Sequence, residues 1–72
     1  MKWYTVILLY PDYVAEEYGH ETYMTSIEAE SPEDAVVRAR LEVNDPDGGI
    51  DGADFFVIAV MLGQHADLNP ER

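Results

Sequence analysis

The sequence predicts a small α+β domain of order ββαβ, with a three-stranded, mainly antiparallel sheet (order 2-1-3) and one helix packed on one face. Three observations predict it. Two runs, Lys2 to Tyr10 and "DFFVIAVMLG" from Asp54, are apolar on both faces and enriched in β-branched and aromatic residues. Between them, Glu21 to Glu30 alternates in the manner of a strand with one wet face. Directly after that stretch comes "SPED", a helix start.

In the first run, Trp3, Thr5, Ile7 and Leu9 point one way and Tyr4, Val6, Leu8 and Tyr10 the other, which suits a central strand. The connector "PDYVAEEYGH" suggests a helical turn from Tyr13 to Glu17 that Gly19 ends. In the second strand Tyr23, Thr25, Ile27 and Ala29 oppose Met24, Ser26, Glu28 and Glu30. Ser31 can cap a helix, Pro32 fits its first position, and Glu33 and Asp34 suit the positive end of its dipole. The helix should run from Pro32 to about Val43 and lay Ala35, Val36, Ala39 and Val43 on the sheet. Val37 and Leu41 form a second stripe. Arg38 lies four residues from both Asp34 and Glu42, whereas Arg40 has no such partner in sequence. A hairpin should join the first two strands, and a right-handed crossover should lead to the third. These elements make one domain over residues 1–63, with 64–72 a tail that is loose or lies across the surface.

Seventy-two residues without cysteine lie near the size at which a single core is marginal, and no disulfide or thiolate zinc site can compensate. With two strands apolar on both faces and one helix to cover them, the remaining face or the edge of the last strand calls for a second chain. The expectation is a homodimer using Phe55, Val57, Ile58 and Val60. The opening "MKWYTVILLY" has a short apolar run and no small-residue cleavage pattern, so it reads as a buried strand rather than a leader. No run approaches the roughly 18 apolar residues of a membrane span. A cytoplasmic location is expected, that of the host if the chain is phage-encoded.

Charge is the strongest signal. Fifteen acids face four Lys and Arg, a formal net charge of −11, and no basic residue stands between Lys2 and Arg38 or from Leu41 to Glu71. Such a surface repels nucleic acid and anionic membranes and attracts basic proteins. The expected contact residues are Glu16, Glu17, Glu21, Glu28, Glu30, Asp45, Asp47 and Asp51. Glu28 and Glu30, two strand positions apart, would stand about 6.6 Å from each other, on the order of successive phosphates. That spacing points to an anionic mimic occupying a basic nucleic-acid-binding groove, as small phage-encoded inhibitors of restriction or CRISPR systems do. The alternative is a small homo-oligomeric accessory protein whose acidity serves solubility.

Other chemistry finds weaker footing. "NDPDGGIDGADFF" alternates carboxylates like a calcium loop, but no frame places oxygens at positions 1, 3 and 5, Gly at 6 and Glu at 12. It reads instead as a helix stop followed by a mobile, solvated acidic connector. Glu16, Glu17 and His20 would share a face if their connector were helical, a two- or three-ligand set that lacks cysteine support. Ser26 and Ser31 have no base and orienting partner nearby in sequence, and a Glu28–Glu30 acid pair would need a cleft. "DGGIDG" puts aspartates where a phosphate would sit, so no cofactor is implied. The sequence predicts no enzyme. Tyr10, Tyr13 and Tyr18, in or beside the acidic connector, could anchor an interface.

Overall fold

A computed structural model describes residues 1–13, 22–68 and 70. Its elements are β1 (Lys2–Leu9), β2 (Thr22–Ala29), α1 (Pro32–Val43), a 3₁₀ turn (Gly52–Asp54) and β3 (Phe56–Leu62). The sheet order is β2-β1-β3, with β1 antiparallel to both neighbours. The expected ββαβ architecture is therefore what the chain adopts. Of the expected helical turn from Tyr13 to Glu17, all but Tyr13 lies outside the described residues; Asp12 and Tyr13 themselves have helical backbone.

The core lies between the sheet and α1. Tyr4, Val6 and Leu8 of β1 face it with Ala29, Ala35, Ala39 and Phe55, and Val57 and Val60 of β3 pack against them. Alanine at both central helix positions lets the helix axis approach the sheet closely. Phe55 enters from beyond the helix and is only 2% exposed. Burying such a ring contributes roughly 1.5–3 kcal/mol. Tyr10 packs on it with ring centroids 5.2 Å apart.

α1 starts as expected. Ser31 holds extended backbone (φ −155°, ψ 165°) and its hydroxyl accepts from the Asp34 amide at 3.1 Å. The helix ends at Asn44, whose amide donates to the Arg40 carbonyl. The following acidic stretch is not the mobile loop expected. Asp45 and Ile50 exchange both backbone hydrogen bonds at 2.8 Å, Gly49 donates to Pro46, and Gly49 supplies the positive φ of 75° that closes the turn. Backbone pairing across a short loop was not visible in a composition of acids and glycines.

The register of β1 with β3 shifts between Ile7 and Leu8, where Ile58 is the extra residue of a bulge. On the face away from α1, Thr5 is fully buried although polar. Its hydroxyl donates to the Gly63 carbonyl at 2.7 Å and accepts from the His65 amide at 3.0 Å, while the Gly63 amide donates to the Trp3 carbonyl. The segment after β3 thus begins anchored across the second face of the sheet. Further along, Leu68 is 87% exposed.

Gly52 sits against the helix end so closely that a β-carbon there would lie 2.1 Å from the Arg40 carbonyl oxygen. A Gly52→Ala variant should lose about 2–3 kcal/mol, because backbone on both sides has to move. Gly49→Ala meets open space and should lose only the left-handed backbone penalty, roughly 1–2 kcal/mol. Urea unfolding of both variants checks the order; an equal loss would show that the Gly52 contact does not lock the turn to the helix.

Candidate protein-binding surface

Every Asp and Glu among the described residues is exposed except Asp34, which is half-buried. The one ion pair between described residues is Arg38 Nε to Asp34 Oδ2 at 2.9 Å. Asp34 also accepts the Glu30 amide at 3.1 Å. That backbone hydrogen bond, together with Arg38, outweighs the opposing effect of desolvation and holds the carboxyl below the ordinary carboxylate value. Arg38 was expected to reach Glu42 as well, but Glu42 accepts instead from the hydroxyls of Tyr23 (3.0 Å) and Thr25 (2.8 Å) on β2. Desolvation, then the Glu42 contact, raises the Tyr23 pKa above its ordinary value.

Arg40 lacked a local partner in sequence and finds a distant one. Its Nη2 donates to the Phe55 carbonyl at 2.8 Å, tying the helix to the residue that fills the core. Its buried Nε has no hydrogen-bond partner among the described residues. The cation nearest the acidic end of the helix is therefore turned inward, onto backbone.

Most of the exposed carboxylates lie near the two ends of α1. Glu30 and Glu33 lie at its start; Glu42, Asp45, Asp47, Asp51 and Asp54 lie at its end, while Glu28, paired with Trp3, stands on the sheet face away from α1. Glu30 stands one residue past β2, so strand geometry aims Glu28 but does not set the expected spacing of the pair. At the far end several acids also hold the backbone. Asp45 Oδ1 accepts the Gly48 amide, Asp51 Oδ1 the Ala53 amide, and Asn44 Oδ1 the Gly52 amide. Tyr13 bridges this cluster, donating to Asp54 at 2.8 Å and accepting the Asp51 amide at 3.1 Å. The Asp51 amide draws the Tyr13 pKa down, but desolvation and the two carboxylates outweigh it, leaving the phenol above its usual value.

The expected contact residues thus divide. Glu30 is exposed at one end of α1 and Asp45, Asp47 and Asp51 at the other, whereas Glu28 is exposed on the sheet face away from the helix. Glu16, Glu17 and Glu21, like the candidate ligand His20 and the candidate anchor Tyr18, lie outside the described residues. Of the expected dimer contacts, Phe55 is buried in the core of its own chain and Val57 and Val60 pack on that core, leaving Ile58 at 47% exposure. Phe56, 67% exposed, takes the outward position next to it. The strand's pairing decides this, because Phe56 opposes Leu9 and Val57 opposes Leu8. Ile58 and Met61 line a shallow hollow of about 490 Å³ with Ile7, Met24 and His65. No helix among the described residues is long and apolar enough to cross a membrane.

Comparison with protein-family models, with curated proteins and with solved structures finds no match to this chain.

Two measurements probe the carboxylates directly. Because the folded Asp34 pKa is depressed, its stabilisation is fully present above the unfolded value near 3.8 and is lost as pH falls through the lower folded value. Asp34→Asn should therefore destabilise at neutral pH and converge on the parent protein in acid, as read by melting curves from pH 7 to pH 2. Millimolar calcium should leave the melting temperature of the parent nearly unchanged. A rise of several degrees that disappears when Asp45, Asp47 and Asp51 are replaced by Asn would show a calcium site.

Proposed function

We propose that this protein is a non-enzymatic acidic module that binds a basic protein partner, with its carboxylates taking the place of nucleic-acid phosphates on that partner. The observation that supports this reading is the C-terminal end of α1. Glu42, Asp45, Asp47, Asp51 and Asp54 are exposed there, at the negative pole of the helix dipole, where acids repel both the dipole and one another. The one arginine in the last turn is directed to the Phe55 carbonyl. Glu42, Asp45, Asp51 and Asp54 also hold hydrogen bonds within the chain, but all four stay exposed, and Asp47 adds its charge with no such bond among the described residues. A local rule broken in a consistent direction is the mark of a surface kept for recognition.

The opposing reading is a homodimer whose charge only solubilises it. Trp3 and Ile58, both more than 40% exposed, and the still more exposed Phe56 favour it, as all three stand on the face of the sheet away from α1. Salt separates the two. Screening weakens an acidic–basic complex but strengthens association between two chains of charge −11.

The test is capture of the basic partner from the native host, followed by competition titration with nucleic acid. Glu28→Lys with Glu30→Lys, and separately Asp47→Lys, should weaken the complex by about tenfold or more below about 0.1 M salt and less above it. These side chains are exposed, and the fold should survive their reversal. Nucleic acid and this protein bound together without mutual displacement would exclude phosphate mimicry. A dimer at high micromolar concentration, tightened by salt and dissociated by Ile58→Lys, would favour the second reading.

A further inference from the structure

We propose that the basic partner seats on the outer face of α1, with two aliphatic side chains of the partner entering the groove beside Val37 and Leu41 and its flanking lysines or arginines meeting the acids at the groove's ends. This deepens the acidic-module reading and rests on it. Glu33, Val37 and Leu41 are spaced four apart and so form one stripe, about 6 Å between neighbours. Ala35 and Ala39 face the sheet, which leaves the stripe outward: Val37 is 57% exposed and Leu41 67%. Between the stripe and the 3₁₀ turn runs a groove of about 300 Å³, lined by Val37, Leu41, Gly52 and Ala53 with Arg40 and Asp51 beside them. Glu33 stands at one end of the stripe and Asp51 at the other.

The sequence has no structural use for this apolar pair. Val37 is β-branched on an exposed helix position, which favours neither helix formation nor solubility. Charge complementarity selects the occupant. A second copy would bring like carboxylates together, and a nucleic acid or anionic membrane would be repelled at the same rim. A basic segment with an aliphatic pair satisfies both the floor and the ends. The open sheet face carries its own acids, Glu28 and, beside the hollow, Asp67, but its centre is already occupied by the Thr5–Gly63–His65 hydrogen bonds and the chain that follows β3.

Two synthetic helical peptides of identical lysine content provide the probe, one with leucines four residues apart and the other with serines in their place. Each is titrated into the full chain while backbone amide resonances are recorded by NMR. The leucine peptide should bind more tightly than the serine peptide by about tenfold, with shifts centred on Val37, Leu41 and Ala53. A Val37→Ser, Leu41→Ser double variant should remove that difference. Both positions are exposed, so its melting temperature should stay within a few degrees of the parent. Equal binding of the two peptides, indifference to the double variant, or shifts centred on Trp3, Phe56 and Ile58 would overturn the proposal while leaving the acidic-module reading in place. If neither peptide binds even at low salt, both fall. A dimer that the double variant dissolves would assign the stripe to a second copy and overturn it as well.

Discussion

The structure depends on how Phe55 is brought under the helix. It is the largest fully buried side chain, yet it belongs to neither the helix nor a strand. A ring cannot be held between α1 and the sheet unless the backbone before it turns sharply against the helix end. Gly52 makes that approach possible, its amide donating to Asn44 and its missing side chain leaving room for the Arg40 carbonyl. Arg40 then reaches across to the Phe55 carbonyl, and Tyr10 closes over the ring. Helix end, 3₁₀ turn and third strand are thereby one unit.

That unit also determines what surface remains. With small alanines against the sheet, the helix sits close, and Val37 and Leu41 are left outside. The same turn carries Asp51 and Asp54 to the helix C-terminus, beside Glu42, Asp45 and Asp47. Anchoring the core and concentrating negative charge are consequences of one piece of backbone. A chain of this size has few independent parts, so a surface used for recognition is built from the residues that hold the fold.

The second face of the sheet is covered in part by a polar device rather than an apolar one. Thr5 is buried in the middle of β1 and engages Gly63 and His65 through a single hydroxyl, with the Ser26 hydroxyl 3.4 Å away. A buried hydroxyl that both donates and accepts loses little on leaving water. Trp3, Phe56 and Ile58 stay at the margins of that cover.

The sequence by itself determined the order of elements, the strand faces, the helix limits from Ser31 to Val43 and the net charge. Those follow from side-chain periodicity, capping chemistry and counting, all of which act within a few residues. It could not distinguish Phe55 from Phe56: adjacent aromatics in an apolar run look alike until pairing with β1 assigns them to opposite faces. Nor could it show that Asp45 and Ile50 pair, that Glu42 turns to Tyr23 and Thr25 rather than Arg38, or that Arg40 bonds to Phe55. Asp45 and Ile50 close a local turn that composition alone does not specify; the other contacts join residues distant in sequence, and hydrogen bonds and close packing act only over a few ångströms in space.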